Sequence, residues 1–304
     1  MKNYIFPFVE IEEQEDLKLA IILNIIDEKI SGVLIRGEKG TGKSTAVRGI
    51  GELIGRCGGN KKVVELPMNA TEDRIVGSID IEKVLKDGSK SFQPGILYEA
   101  DNNILYIDEV NLLDDYIVDL ILDASAMGVN TIERDGISKS HSSKFVLVGT
   151  MNPEEGELRP QLLDRFGLMV EIFSEKDKEV RKRIVKKRLE FDKNQEEFIK
   201  KSQEKEKELY RRIIKARENF NSVIVDENIL DMVVEISLEL GVDGHRSDIT
   251  IIRAAKAYAA FLGEEKVTIE HIKKLIPMVY SHRLRKRPFE EVNTDRILEI
   301  KDRL

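Results

Sequence analysis

Cysteine is almost missing from this chain: Cys57 is the single thiol in 304 residues. A disulfide framework and a cysteine-built zinc site each need at least two thiols, so both are excluded, and a reducing, cytoplasmic setting is expected. Long apolar runs are missing as well. No stretch approaches the ~20 residues of a membrane-spanning helix, and the first residues, MKNYIFPFVEIEEQED, are too acidic and too interrupted for a signal peptide. There is no internal repeat and no low-complexity linker. The histidines, His141, His245, His271 and His282, lack metal-ligand spacing, so surface or capping roles are expected.

What the chain has in quantity is charge. Lysine plus arginine number 49 and aspartate plus glutamate 56, a net charge of −7, beside 41% hydrophobic residues. That is the composition of a soluble protein, with the length of one large domain or two ordinary ones. Ser174 to Phe220 holds 17 basic and 11 acidic residues, a local +6 that leaves −13 elsewhere. Up to about residue 173 strand and helix patterns alternate, and the rest is charged and helical in period. The expected division is therefore an α/β core over 1–173 and a helical domain over 174–304.

Within the first part, Asp16 to Ile30 reads as an amphipathic helix. The short apolar strand Val33-Leu34-Ile35 then runs into Gly37-Glu38-Lys39-Gly40-Thr41-Gly42-Lys43-Ser44 and the helical run Thr45 to Arg56. This strand, glycine loop and helix form the context that the G-x-x-x-x-G-K-[ST] motif requires. Its glycines let backbone N–H groups curl around phosphates at a helix N-terminus, with Lys43 on the β/γ-phosphates and Ser44 on Mg²⁺. A later strand, Ile104 to Ile107, delivers Asp108 and Glu109 at its end. In this Walker B arrangement Asp108 holds Mg²⁺ through water and Glu109 acts as base or orienter for the attacking water. Together the two motifs predict ATP hydrolysis. The strand from Phe145 to Val148 leads to Asn152-Pro153, which makes Asn152 a candidate to position that water. Arg165, before the strand Leu168 to Ile172, is either locally paired or a finger on a neighbouring subunit's γ-phosphate.

The set GEKGTGKS, ILYIDEVN, GTMNP and LLDRF resembles the AAA+ ATPases. Longer stretches, among them FPFVEIEEQEDLKLAIILNIID and ATEDRIVGSIDIEKVLKDGSKSFQPGIL, resemble the ATPase (I) subunit of magnesium chelatase and its bacterial relatives over roughly residues 5–173. The resemblance implies a parallel five-stranded sheet of order 5-1-4-3-2, a C-terminal helical lid and a ring, expected to be a hexamer, that drives metal insertion into a tetrapyrrole. It also implies a D-type partner carrying a von Willebrand A domain, and a large catalytic subunit. ATP and Mg²⁺ are the implied cofactors, Asn152 becomes sensor 1, and Arg165 the finger acting in trans. Arg246, ahead of the helix Ser247 to Leu262, is similar to sensor 2, with Arg253 as the reserve. Asn69 to Gly95 and Val129 to Lys144 match the family's two hairpin insertions, and both carry turn residues. One departure falls at Glu10-Ile11-Glu12-Glu13-Gln14-Glu15, where the family has a glycine-containing turn that borders the adenine.

Asp123-Ala124-Ser125-Ala126-Met127 opens like a von Willebrand metal motif but breaks at Met127 and lies in an expected helix, so the inserted metal is expected on another chain. The basic cluster Ser281 to Pro288 suits nucleic acid, yet an acidic chain does not, so neither nucleic acid nor membrane is an expected partner. Two other functions fit the same residues: a MoxR-like chaperone that matures a von Willebrand A partner, and a nucleic-acid translocase.

Overall fold

A computed structural model describes residues 4–79, 92–134, 137–284 and 295–304. Helix α1 (Glu15–Ile26), strand β1 (Val33–Gly37) and helix α2 (Lys43–Arg56) come first. Strand β2 (Val63–Leu66), helix α3 (Glu72–Val76), strands β3 (Gly77–Ile79) and β4 (Phe92–Pro94) and the single turn α4 (Ile96–Glu99) follow. Next are β5 (Ile104–Ile107), α5 (Asp115–Met127), β6 (Val129–Arg134), β7 (Ile137–Ser142), β8 (Val146–Met151), the turn α6 (Pro160–Leu163) and β9 (Leu168–Ile172). Beyond β9 the regular elements are helices: α7 (Lys178–Lys193), α8 (Gln195–Asn219), α9 (Glu227–Leu240), α10 (Arg246–Leu262), α11 (Ile269–Tyr280) and α12 (Asp295–Arg303).

The main sheet runs β2-β5-β8-β1-β9 with every pair parallel. Counting only its own strands and starting from β9, this is the expected order 5-1-4-3-2. Strands β5 and β8 are buried along their whole length, as parallel strands covered on both faces are. Alternation then assigns side chains to two cores: Ile35, Tyr106, Val148 and Val170 on one face, Leu34, Leu105, Leu147 and Met169 on the other.

Helix α1 differs from its expected amphipathic form. It ends at Ile26, and residues Leu17 and Leu19 to Ile26 are all buried. The reason is its position. The sheet covers one side and the helices after β9 cover the other, so α1, the sheet face with Ile35 and buried residues of α8 to α12 belong to one continuous core. The change from strands to helices near residue 173 is thus a change of secondary structure within a shared interior.

The two insertion segments hold two-stranded antiparallel ribbons, β3 with β4 and β6 with β7. They touch each other: Asn130 Nδ2 donates to the Val76 carbonyl at 3.0 Å, and Lys139 Nζ stands 4.9 Å over the Phe92 ring. The expected turn residues Asp80, Gly88, Asp135 and Gly136 lie outside the described residues.

The turn from Asp164 to Gly167 is wedged against the chain just before β1. Gly167 donates to the Ser31 carbonyl at 3.0 Å, and a Cβ at Gly167 would stand 1.6 Å from the Ile30 carbonyl oxygen. Backbone is what it would strike, so Gly167→Ala is expected to cost about 3 kcal/mol, read from urea unfolding. A loss under about 1 kcal/mol would show that the turn yields.

His282 seals the same turn. Its Nε2 lies 3.0 Å from the Phe166 carbonyl, which only accepts, so the ring proton sits there, while Nδ1 is shut off from solvent. Burial, followed by the nearby Arg283 charge, holds its pKa well below the ordinary imidazole value. His271, in the capping box of α11, is lowered by burial too. The folded chain keeps these rings neutral where the unfolded chain, titrating near ~6.5, takes up protons. Stability present above that pH is therefore lost as the pH falls through it. The urea midpoint should drop between about pH 7.5 and about pH 5.5, and drop less in His282→Gln, whose amide keeps the donor to Phe166. Equal drops would remove His282 from the account.

Candidate nucleotide-hydrolysis site

The phosphate loop connects β1 to α2. Gly40 and Gly42 have φ of +79° and +83°, and a Cβ on either meets nothing within 4 Å. Glycine is needed there for the left-handed backbone, which aims the free N–H groups of the α2 N-terminus into the loop. Lys43 Nζ donates to the Gly37 and Glu38 carbonyls at 2.5 and 2.7 Å. Burial lowers its pKa, while Asp108 and Glu109 favour the charged form.

The end of β5 delivers the two carboxylates. Asp108 Oδ1 accepts from the Tyr106 hydroxyl at 2.8 Å and from Thr150 Oγ1 at 2.6 Å. Burial pushes the pKa of this phenol up, so it remains a neutral donor. Tyr106 is therefore linked to Asp108, which together with Ser44 is expected to hold Mg²⁺. A hydroxyl and a carboxylate are the hard oxygen donors that this ion prefers, so the pair fits Mg²⁺. Tyr106→Phe removes the link without opening a cavity, and ATP turnover should then need roughly tenfold more Mg²⁺ for half-maximal rate. An unchanged Mg²⁺ dependence would assign the phenol to packing alone.

Glu109 adopts φ 52°, ψ 55°, a left-handed conformation that costs a non-glycine residue on the order of 1 kcal/mol. Its N–H donates to Thr150 Oγ1 at 3.1 Å, which fixes the kink. Lys39 Nζ, ion-paired with Glu155, lies 3.8 Å from the Glu109 carboxylate. Asn152 is 2% exposed at the end of β8, and its Oδ1 accepts from Glu154 N at 3.3 Å, which leaves the amide N–H groups for the cleft. Asn111 Nδ2 pins the loop below, donating to the carbonyls of Asn152 and Gly156 at 3.2 and 3.1 Å. Lys39 to Thr45, Asp108, Glu109 and Asn152 line one cavity of about 280 Å³.

A second cavity, of about 400 Å³, adjoins it across Gly40, Thr41, Gly42 and Thr45. Phe173, Ile184 and Val185 give it an apolar side, and residues 10–14 form the opposite wall. The segment that departs from the family pattern thus borders the space beside the phosphate loop. Glu13 and Gln14 take φ of 54° and 57° without glycine, and Gln14 Nε2 donates to the Thr41 carbonyl at 2.6 Å. Lys187 ties α7 to this wall through Glu10 and Glu12 at 2.9 and 2.6 Å. An apolar slot next to a phosphate cradle suits a purine base and its triphosphate.

The three candidate arginines stand elsewhere. In the parallel register Val33 pairs with Leu168 and Gly37 with Ile172. The Asp164–Gly167 turn and Asp27 therefore lie at the end of the sheet where strands begin, and the phosphate loop lies where they end, about 13 Å along β1. Arg165 Nη1 reaches Asp123 and Asp119 of α5 at 2.5 and 2.9 Å. Arg246 Nη1 reaches Asp164 at 2.6 Å, half-exposed, and Arg253 is paired with Asp27 through Nε at 2.7 Å and Nη2 at 2.8 Å. Arg246 and Arg253, expected to bind the nucleotide, do not face the phosphate loop of their own chain. Arg253 is an internal strut, because Asp27 is buried and leads away from the site.

Asp123 and Ser125 lie within α5, with Asp123 held by Arg165. In the basic cluster Arg283 is buried, so its charge is not on a nucleic-acid-facing surface, and Arg285 to Pro288 lie outside the described residues. Among the described residues no group of three or more His, Cys, Asp or Glu side chains is placed to hold a metal, and no helix is long and apolar enough to cross a membrane.

The chain matches two family models, an AAA domain of the dynein-related subfamily over residues 32–166 and an AAA lid domain over residues 230–300. It is 48% identical to the magnesium-chelatase subunit ChlI homolog of Methanocaldococcus jannaschii, over 95% of this chain and 88% of that protein. It is 45% identical to the magnesium-chelatase subunit ChlI of Cyanophora paradoxa, over 98% and 97%. A chain in the cryo-EM complex between subunits BchI and BchD of magnesium chelatase is 40% identical, covers 94% of this chain and 98% of its own, and has a TM-score of 0.54. A putative ATPase from Cytophaga hutchinsonii, 17% identical with a TM-score of 0.71, shares the fold. With relatives this similar along nearly the full length, and with the phosphate loop and Walker B carboxylates in one cleft, the chain belongs to the magnesium-chelatase I-subunit (ChlI/BchI) family of AAA+ ATPases.

Proposed function

We propose that the chain is the ATP-hydrolysing I subunit of a magnesium-chelatase-type complex, working with a D-type partner to drive metal insertion into a tetrapyrrole. The observation that carries this is the separation of the site into two halves at opposite ends of the sheet, within a family whose structural relative is a BchI–BchD complex. A single subunit supplies the phosphate loop, Ser44, Asp108, Glu109 and Asn152. It offers Arg165 and Arg246, linked through Asp164, at the far end, where they serve a neighbour's pocket. Head-to-tail assembly into a ring, read as a hexamer, completes each site.

In that assembly the loop N–H groups and Lys43 hold the phosphates, and Ser44 and Asp108 hold Mg²⁺, which when bound neutralises charge on the phosphate oxygens. Glu109 takes a proton from the attacking water, and the Asn152 amide orients that water. The neighbour's Arg165 stabilises the charge that develops on the γ-phosphoryl group. The energy released becomes movement between subunits and is passed to the partner. The paired ribbons of the two insertion segments are the surfaces proposed to meet that partner.

The test is reconstitution with a D-type subunit and a large catalytic chelatase subunit, scored as ATP-dependent metal insertion into a porphyrin. Insertion that requires this chain supports the reading. ATP turnover with no insertion for any metal would sink the tetrapyrrole assignment while leaving the ATPase.

A further inference from the structure

Arg283 is the most completely enclosed cation in the described structure, with a side chain 1% exposed, and the hydrolysis chemistry makes no use of it. It follows the end of α11, and its guanidinium spends all five N–H bonds on two elements. Nε donates to Asp164 Oδ1 at 3.2 Å. Nη2 donates to the Asp164 and Phe166 carbonyls at 3.2 and 2.7 Å. Nη1 donates to the Gly167 carbonyl at 3.0 Å and to the Val279 carbonyl of α11.

Four of the five bonds go to the turn that carries Arg165, and they grip the residues on both sides of it. The fifth fixes the guanidinium to α11. The turn's other side is wedged on the backbone before β1 through Gly167 and Leu168, at 3.0 and 3.1 Å. Asp164 also receives Arg246 of α10, the helix against which α11 packs. Burying a charge is expensive, and an apolar residue of similar volume commonly serves stability as well. A buried arginine with every donor committed is instead suited to fixing geometry between two elements.

We propose that Arg283 is a positioning residue for Arg165: it clamps the Asp164–Gly167 turn to α11, so that the helical region of one subunit sets where its finger stands against the next subunit's phosphates. This rests on the reading that Arg165 acts in trans. It also makes the turn a mechanical link, because a shift of α11 carries the residues flanking the finger with it.

ATP turnover by Arg283→Met, Arg283→Lys and Arg165→Ala tests the proposal, each assayed alone and mixed with Lys43→Ala subunits. The lysine variant keeps the charge and guards against a simple loss of folding, which circular dichroism and a melting curve monitor. Both Arg283 variants should lose roughly 10- to 100-fold in kcat with the KM for ATP changed less than about twofold, since the pocket in the same chain is intact. In the mixture, pockets of the Arg283 variant meet intact fingers of the Lys43→Ala subunit, so turnover should rise severalfold above the sum of the separate activities. Full kcat in a folded Arg283→Met overturns the proposal. Recovery of Arg165→Ala by mixing without recovery of either folded Arg283 variant also overturns it, and leaves the trans reading standing. No recovery of Arg165→Ala defeats the trans reading itself, and the proposal with it.

Discussion

Glu109→Gln is expected to bind ATP with little change in affinity and to turn it over at least ~100-fold more slowly. The amide matches the carboxylate in size, so the left-handed kink at φ 52° and the N–H bond to Thr150 remain. What goes is the one group at the end of β5 able to accept a proton without being committed to the metal. Asp108 cannot replace it, because its Oδ1 is already engaged by Tyr106 and Thr150. The substitution also frees Lys39 from one of its two acidic neighbours, which leaves Glu155 as its anchor. Steady-state turnover and equilibrium binding of a fluorescent ATP analogue measure the two quantities. Turnover within about tenfold of the parent would remove Glu109 as the base.

Arg165→Ala should lower kcat by about 10³-fold, the scale of an arginine finger, with ATP binding nearly intact. Stability should hardly move. Arg165 is part-exposed, and ion pairs at such positions are worth ~0–1 kcal/mol each. The pairing with Asp119 and Asp123 makes a second arm possible: Asp119→Ala with Asp123→Ala removes the intrachain partners and leaves the finger. If Arg165 serves local structure, the double aspartate variant will lose activity as Arg165→Ala does. If it serves a neighbour, the aspartate variant retains most turnover while Arg165→Ala does not. Measuring both separates the readings by kcat alone.

The phosphate loop and the Walker B pair were legible in the sequence because their chemistry is local. A left-handed glycine turn opening a helix and two carboxylates closing an apolar strand need only a few adjacent residues each. The sheet order followed from the family resemblance rather than from any residue pattern, since strand neighbours are set by long-range pairing. Tyr106 and Thr150 escaped notice because each sits in a buried strand, where a single polar atom reads as part of an apolar run. The signal was there: a hydroxyl in such a strand must find a partner, and here it is Asp108. Asn111 gave no local signal, because its two carbonyl partners lie 41 and 45 positions on. Arg253 misled for the complementary reason. Two turns into a helix it sits where a sensor arginine is expected, but its partner Asp27 is 226 positions away and belongs to the opposite end of the sheet. Helix α1 was recognised, yet its all-round burial was not, because periodicity cannot report a second layer that arrives nearly 200 residues later.

Under the proposed trans role of Arg165, the placement of phosphate loop and finger at opposite ends of β1 and β9 sets a counting rule for assemblies of this chain. Every head-to-tail contact would then complete one site, so a lone subunit would complete none and an open arc would always have one pocket fewer at work than it has subunits. Only closure of the ring removes the deficit. Activity per subunit then becomes a measure of assembly size, low when the protein is dilute and saturating once rings predominate, even though no individual pocket has changed its affinity for nucleotide.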